Sequence, residues 1–204
     1  MAYRLSPVTR ASLGDAPGVC VDCVFWQTRG RAVEKERWAE RMEEDWGAWG
    51  TLYQAEGDRL LGFVQYGPSG QFPRAAALPA GPPSADAVLV TCAYLVDVSS
   101  PWVLQSLFLA AIGEVRDRGI KAIETFGYRY PEGETSYARV LVHRTVFPAD
   151  FLADFGFYPV RWQGDVCLAR LELGGLVTVE DGLTARAWRK VKDALVPAPV
   201  PQRP

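Results

Sequence analysis

The sequence predicts a mixed α/β fold, because it contains a strand–helix–strand unit with a hairpin on either side. The apolar run Ala87–Val98 is too continuous for a half-exposed strand, so we expect a strand buried on both faces. An amphipathic helix follows it, and Ile120–Phe126 has the composition of the next strand. Strands that enclose a helix in this way pair in parallel, whereas strands joined by tight turns pair antiparallel. The sheet should therefore be mixed.

The helix of this central unit has clear start and stop signals. The helix should start at Ser99-Ser100-Pro101, because a serine can cap a helix and proline suits the first helical position. Apolar residues then recur at spacings of three and four, which predicts one buried stripe. The stripe consists of Leu104, Leu107, Phe108, Ala111, Ile112 and Val115. Gly119 ends the helix. Because this helix begins directly after a strand, its first amides form a natural anion site.

The chain before the central unit predicts a strand, a helix and a hairpin. Residues 3–9 suit a first strand, and residues 32–49 suit an amphipathic helix with an aromatic seam. The seam consists of Trp38, Met42, Trp46 and Trp49. Residues 51–55 and 60–66 are strand-like and flank the turn EGDR, which is typical of a hairpin. The stretch 67–86 is rich in Gly and Pro, and a connection of this length is either functional or a plain surface excursion.

The chain after the central unit predicts a loop, a short helix and a closing hairpin. Residues 127–147 suit a loop with a short ordered piece, and 148–155 suit a helix with proline at its start. The strands 157–162 and 165–173 flank Gln163-Gly164. A last amphipathic helix is rich in basic residues, and we expect it to dock on its own domain or on a second copy in a homodimer.

Composition restricts the classes of function that the chain can have. Its 204 residues suffice for one domain with a sizeable core. A net charge of −2 and a pI near 5.5 argue against nucleic-acid partners. No apolar run approaches the roughly 18 residues of a membrane span, and the N-terminus lacks the apolar centre of a signal peptide. We therefore expect a cytoplasmic protein.

Two segments of the chain resemble the GNAT superfamily of acyl-CoA-dependent N-acyltransferases. EVRDRGIKAIETF is similar to the end of that family's central helix and the strand that follows it. FLADFGFYPVRWQGDVCLARLEL is similar to its short helix, Gly-Phe pair and closing hairpin. The resemblance implies a GNAT-like, mostly antiparallel, splayed sheet flanked by helices in residues 1–175. A C-terminal helix at 176–196 and a disordered Pro-rich tail at 197–204 complete the expected organisation.

The resemblance also implies a co-substrate and a reaction. Acyl-CoA, with acetyl-CoA as the first choice, would place its pantetheine arm where the central strand separates from its neighbour. Leu95, Val96 and Val98 would then line the thioester end of that gap. The pyrophosphate would face amides at the start of the helix, those of Trp102, Val103, Leu104 and Gln105. The implied function is N-acyltransferase, with a small-molecule or protein amine as the acceptor.

Several motif positions of that family carry other residues here. The pyrophosphate loop, usually Arg/Gln-x-x-Gly-x-Gly/Ala, is degenerate, with Ser99, Trp102 and Leu104 at its motif positions. Leu152 stands where the family commonly has a tyrosine as the general acid. These substitutions motivate an alternative function, a non-catalytic GNAT-like module that senses a ligand or binds another protein.

Candidate acid–base groups lie in and near the central unit. Asp97 at the end of the first strand and Glu124 on the second are carboxylates that could take a proton from an amine. Tyr128 is a candidate for the missing acid, and Tyr94 and Tyr158 are the alternatives. His143, the only histidine, could serve as a base or simply anchor its loop.

Only one pair of cysteines has a spacing that is typical of a functional site. Cys20 and Cys23 have the spacing of half a zinc site or of a redox pair. No second pair or histidine motif supplies the other ligands, so we expect no metal. Cys92 and Cys167 fall in predicted strands, where a free cysteine behaves as a small apolar residue.

Overall fold

An eight-stranded sheet is the frame of the part of the chain that the computed structural model describes, residues 3–29, 33–97, 100–130 and 145–174. The strands are β1 (Tyr3–Pro7), β2 (Gly50–Ala55), β3 (Arg59–Pro68), β4 (Ala87–Leu95), β5 (Ala122–Tyr128), β6 (Phe147–Pro148), β7 (Tyr158–Gln163) and β8 (Val166–Glu172). Their order is β1-β2-β3-β4-β5-β8-β7, and β6 pairs with β5. The β4/β5 and β5/β6 pairs are parallel, and the others are antiparallel. The predicted mixed, mostly antiparallel sheet is confirmed.

Helices cover both faces of this sheet. They are α1 (Gly18–Val21), α2 (Lys35–Asp45), α3 (Pro101–Asp117) and α4 (Ala149–Asp154). The helices α3 and α4 pack in one apolar cluster, and α2 packs in a second cluster with the segment that follows β1. We call these two sides of the sheet the α3 face and the α2 face.

Helix α3 begins and ends as predicted. Pro101 is its first residue, and the chain turns at Gly119, whose φ is +73°. All predicted stripe residues except the half-buried Ile112 are fully buried. Ser100 does precede the helix, but its side chain makes no capping hydrogen bond. Its ψ of 63° lies outside the extended region that such a cap uses.

Helix α2 is shorter than the predicted helix 32–49. It ends at Asp45, and Gly47 then adopts a φ of +94°, which reverses the chain. Trp49 therefore lies outside the helix, where its amide donates a hydrogen bond to the Val8 carbonyl at 3.0 Å. The aromatic seam still forms, because the rings of Trp38 and Trp49 meet at 5.0 Å between centroids.

Strand β4 ends at Leu95, three residues before the predicted Val98. Several other predictions lie outside the described residues: Val98, Ser99, His143, the C-terminal helix and the Pro-rich tail. No described helix is long and apolar enough to cross a membrane.

Candidate functional site

The central feature of the sheet is a gap between β4 and β5. The two strands pair at only three positions, the last of which joins Leu89 and Glu124. Beyond this pair β4 continues to Leu95 and β5 to Tyr128 without further ladder pairing between them. At the closed end, the Thr125 hydroxyl donates a hydrogen bond to the Val90 carbonyl at 2.8 Å. The gap therefore opens toward the carboxyl ends of both strands.

A bulge in β4 lies where the gap begins. Gln65 of β3 is opposite Cys92 while Tyr66 is opposite Val90, which leaves Thr91 as the extra residue. The Thr91 hydroxyl donates to the Gln65 backbone carbonyl at 3.2 Å. A bulge bends its strand and strengthens the local twist. The bend gives a physical reason for β4 to leave β5 at this point.

The α2 face of the gap has an aromatic wall. Phe126 of β5 is fully buried, and the Trp26 ring stacks on it at 6.0 Å between centroids. Trp26 belongs to the segment between α1 and α2, so this wall depends on the N-terminal third of the chain. Nearer the open end, the Tyr128 ring contacts Tyr130 at 4.7 Å.

Helix α3 begins just beyond the end of β4. Within its start, the Val103 amide already donates to the Ser100 carbonyl at 3.0 Å. The Trp102 ring packs on Tyr3 and Tyr53, at 5.1 and 5.5 Å between centroids. These tyrosines lie on β1 and β2, on the opposite side of β4 from β5. The indole therefore points away from the gap.

The other predicted cofactor-binding residues are spread around this region. Leu95 and Leu104 are buried in the cluster on the α3 face. Val96 is 53% exposed, and its amide donates to the Leu61 carbonyl at 2.9 Å. Gln105 is half-buried in the first turns of α3. Their contact with a cofactor stays a prediction.

Glu124, one of the predicted acid–base groups, anchors the 67–86 connection. Its carboxylate is fully buried and accepts hydrogen bonds from the Ser84 amide at 2.7 Å and the Ser84 hydroxyl at 2.6 Å. It also pairs with Arg170 of β8 at 3.2 Å. At the same connection, the Arg161 guanidinium of β7 donates to the Ala80 carbonyl at 2.8 Å. Glu124 thus faces groups of its own fold, and these contacts favour a structural role.

Arg170 forms ion pairs with three carboxylates at the closed end of the gap. Besides Glu124 it pairs with Asp86 at 2.9 Å and with Glu172 at 2.6 Å. Hydrogen bonds from Arg170 lower the pKa of both Asp86 and Glu172. The same contacts raise the pKa of Arg170.

This cluster predicts an acid-sensitive stability. Because the folded-state pKa values of Asp86 and Glu172 are lowered, their contribution is complete above the ordinary carboxyl range of about pH 4. It is lost as the pH falls through the lowered values. We expect the urea midpoint of the wild type to fall more steeply between about pH 5 and pH 2 than that of Arg170→Met. Equal slopes for the two proteins would contradict this expectation.

The remaining predicted acid–base residues lie near the open end. Asp97 is exposed beyond the end of β4, and its backbone carbonyl accepts a hydrogen bond from the Ser100 amide at 3.4 Å. Tyr128 is half-buried at the end of β5. Leu152 is buried in α4, where it packs in the α3-face cluster. Catalytic roles for Asp97 and Tyr128 stay predictions.

Lys35, which no sequence pattern singled out, is buried on the α2 face. Its Nζ donates to the Gln65 side-chain oxygen at 3.2 Å and lies over the Trp38 ring at 4.5 Å from the centroid. The missed signal is its spacing, because positions 35, 38 and 42 follow the apolar seam of α2. A lysine in that seam is buried with its helix.

The cysteine pair lies on the same face. Cys20 packs at the edge of the α2-face cluster together with Cys92 of β4, and Cys23 is exposed. All four cysteines are free thiols. Burial raises the pKa of Cys92 to about 12, so this thiol stays protonated at neutral pH. Within the described ranges, no group of three or more His, Cys, Asp or Glu side chains could hold a metal ion.

Comparison with known proteins finds similarity in structure. No protein-family model matches the chain, and no curated protein matches its sequence. The loading GNATL domain of CurA from Lyngbya majuscula superposes with a TM-score of 0.51 at 11% identity, over 85% of this chain and 98% of that domain. The PaiA N-acetyltransferase of Thermoplasma acidophilum, in complex with coenzyme A, gives 0.49 at 14% identity, over 84% and 99%. The ribosomal-protein-S18-alanine N-acetyltransferase of Escherichia coli gives 0.48 at 10% identity, over 89% and 100%.

The TM-score of the first of these superpositions indicates a shared fold. At such identities a structural similarity shows the fold alone. The part of the chain that the structure describes therefore has the fold of the GNAT superfamily, as the resemblance in its sequence implied.

Proposed function

We propose that the chain is an N-acyltransferase that holds acyl-CoA in the gap between β4 and β5 and passes the acyl group to an amine. The observation that carries this proposal is the gap itself, which opens after three ladder pairs toward the start of α3. A gap of this kind leaves backbone groups of β4 and β5 without ladder partners, and an extended ligand can pair with them.

The chemistry of acyl-CoA suits both parts of this site. The pantetheine arm is an extended chain with two amide groups, and such a chain can pair with exposed strand edges as an added strand does. The pyrophosphate is an anion, and the amides and dipole at the start of a 17-residue helix favour one. The Trp102 ring leaves this approach open, since it packs on Tyr3 and Tyr53.

The acceptor amine would approach from the α2 face, beside the 67–86 connection. That face of the gap carries the aromatic wall of Trp26 and Phe126. Direct transfer also needs a base for the amine and donors for the tetrahedral oxyanion. Backbone amides of β4 beyond Val90 lie on the edge of the gap and are candidates for the donors that stabilise the oxyanion.

Calorimetric titration of acetyl-CoA into the protein tests the site, and Gln105→Glu localises it. A carboxylate in the first turns of α3 suits the helix dipole, so the melting temperature should not fall. It also repels a bound pyrophosphate, and we expect acetyl-CoA affinity to drop about tenfold, since one charge at close range costs about 1–2 kcal/mol at intermediate dielectric.

Leu109→Glu is the matched control for this charge. Leu109 is on the same helix, one turn further from its start, and is 42% exposed. We expect it to change acetyl-CoA affinity by less than about twofold, since four residues of helix place its charge about 6 Å further from the start of α3, where solvent and salt screen it. Equal losses of acetyl-CoA affinity in both variants would show that the pyrophosphate does not bind at the start of α3. If the wild type gave no heat of binding at millimolar acetyl-CoA, the acyltransferase proposal would be overturned.

A non-catalytic GNAT-like module remains the alternative function, and Leu152 favours it. Its buried isobutyl group occupies the position at which the resemblance implies a phenol, and it offers no proton to a leaving thiolate. The two functions differ in one measurement, the release of CoA thiol from acetyl-CoA with a panel of amines. Steady release above the rate without protein supports the transferase, whereas binding without release supports the module.

A further inference from the structure

A buried lysine on the α2 face lies against two aromatic rings. Lys35, the first residue of α2, has only 7% of its surface exposed. Its Nζ lies over two indoles, at 4.5 Å from the ring centroid of Trp38 and 5.1 Å from that of Trp49. Nζ also donates a hydrogen bond to the Gln65 side-chain oxygen at 3.2 Å. Because the faces of indole rings attract cations, these contacts favour the charged ammonium.

Within the part of the chain that the structure describes, no carboxylate pairs with this ammonium. Glu34 and Glu36 flank Lys35 in sequence, but both are exposed, and Glu34 pairs with Arg37 at 2.8 Å. The titratable groups that face Nζ from other elements are the thiols of Cys20, Cys23 and Cys92. A buried charge is costly unless an opposite charge or strong hydrogen bonds compensate it. The site is therefore suited to an anion from outside the described residues.

Two further features of this site favour an anion. Trp49 is fully buried, and its indole Nε1, in a ring that Nζ contacts, has no hydrogen-bond partner. An indole N–H can only donate, so its complement is an acceptor. Lys35 also begins an 11-residue helix, whose first amides and dipole favour a negative charge. An ammonium, an unpaired donor and a helix start are the kinds of group that bind a carboxylate.

The site lies beside the gap and close to the surface. In the β3–β4 register, Gln65 is opposite Cys92, which comes after Leu89, the last residue of β4 that pairs with β5. Cys92 therefore belongs to the edge of the gap, and Gln65 is one strand spacing of about 4.8 Å away from it. Glu34, which precedes Lys35, is exposed. An anion at Lys35 would thus lie on the face from which the acceptor would approach.

We propose that Lys35 binds a carboxylate of the acceptor, so that the substrate of the acyl transfer is an amino carboxylate. This inference rests on the function proposed above. The amine must reach over β4 to the gap while the carboxylate stays at Lys35, so at least about 5 Å must separate the two groups. A long ω-amino carboxylate satisfies this requirement, whereas glycine has a single carbon between its two groups. Lys35 is then a positioning residue.

Binding of a carboxylate at Lys35 can be measured without any turnover. The chain has only four lysines, so protein labelled with ¹³C- and ¹⁵N-lysine gives a simple NMR titration, and Lys35→Met identifies the Lys35 signal. Burial lowers the pKa of Lys35, and a carboxylate beside Nζ opposes that effect. In the presence of CoA, 6-aminohexanoate should raise the pKa of Lys35 by about one pH unit. Hexylamine, which has a methyl group in place of the carboxylate, should leave this pKa unchanged.

The exposed Lys121 is the internal reference for this titration, and its pKa should not respond to either compound. An unchanged pKa of Lys35 with 6-aminohexanoate at saturating concentration would overturn the inference. An equal response to hexylamine would also overturn it, because hexylamine carries no anion. An equal response to sodium chloride would overturn the assignment of a carboxylate.

Kinetics with the same compounds test the choice of substrate. The wild-type kcat/KM for 6-aminohexanoate should exceed that for hexylamine by about tenfold or more, since only the former makes charge-assisted hydrogen bonds at Lys35. Glycine should show no such advantage over ethylamine, its counterpart without a carboxylate. Lys35→Met should lower kcat/KM for 6-aminohexanoate at least about fivefold more than for hexylamine. Lys35→Arg keeps a cation and should restore part of this difference, and Arg37→Met, an exposed cation of the same helix, should keep all of it.

The outcomes separate this inference from the function on which it rests. Equal wild-type kcat/KM for 6-aminohexanoate and hexylamine overturns the role of Lys35 and leaves the transferase standing. Equal losses for both substrates in Lys35→Met would assign this residue a purely structural role, which also overturns the inference. Absence of thiol release with every amine overturns the proposed function and the acceptor with it, and the NMR titration then decides by itself whether Lys35 binds a carboxylate.

Discussion

Replacing Arg170 by methionine should destabilise the fold by about 3–5 kcal/mol, the usual cost of removing one partner of a buried ion pair. Arg170 is 12% exposed and Glu124 is fully buried, so the substitution leaves a buried carboxylate with only the Ser84 donors. Methionine keeps the unbranched stem, so the lost packing is small. For a chain of this size the melting temperature should fall by about 10 °C.

The matched control for Arg170→Met is Arg4→Met. Arg4 also pairs with a carboxylate, Asp58, at 2.8 Å, but both side chains are mostly exposed, at 62% and 76%. Exposed pairs contribute about 1 kcal/mol or less. Urea unfolding of both variants measures the difference in the free energy of unfolding. Equal losses of this free energy would show that the buried cluster does not stabilise the sheet more than an exposed ion pair does.

The fold was predictable because periodicity and turn signals agreed along most of the chain. The continuous apolar run of β4, the stripe of α3 and the glycine that ends it specify a parallel unit by local rules. The predicted C-terminal end of α2 was wrong. Trp49 continues the spacing of three and four residues, although the helix ends at Asp45 and the chain turns before Trp49. Periodicity alone does not mark where a helix stops.

The site was less predictable, because it depends on contacts between distant parts of the chain. Glu124 suited catalysis by its position on β5, yet Ser84 and Arg170, which lie 40 and 46 residues away in sequence, surround its carboxylate. The burial of Lys35 was not predicted, because lysine is usually solvated. It is buried only because α2 packs on β3, where Lys35 contacts Gln65. Charge environment is a tertiary property, so single-sequence patterns seldom show it.

Phe108→Ala should be the most destabilising single truncation in the core beneath α3. The Phe108 ring is fully buried and meets three other rings, those of Phe147, Phe151 and Phe155, at 4.9, 5.1 and 5.5 Å between centroids. It therefore joins α3 to β6 and to α4. Removal of such a ring costs about 3–5 kcal/mol through lost burial and the cavity left behind, and the edge-to-face contacts add to that loss.

The neighbouring residue of the same helix is the control for Phe108→Ala. Leu109 is 42% exposed, and Leu109→Ala should change the unfolding free energy by no more than about 1 kcal/mol, since alanine suits a helix and only part of the leucine side chain is buried. Phe108→Leu keeps an apolar side chain and should fall between the two. If Phe108→Ala cost no more than Leu109→Ala in urea unfolding, α3 would not be packed on α4 as described. The start of α3 would then lack the rigid support that a cofactor site at its first amides requires.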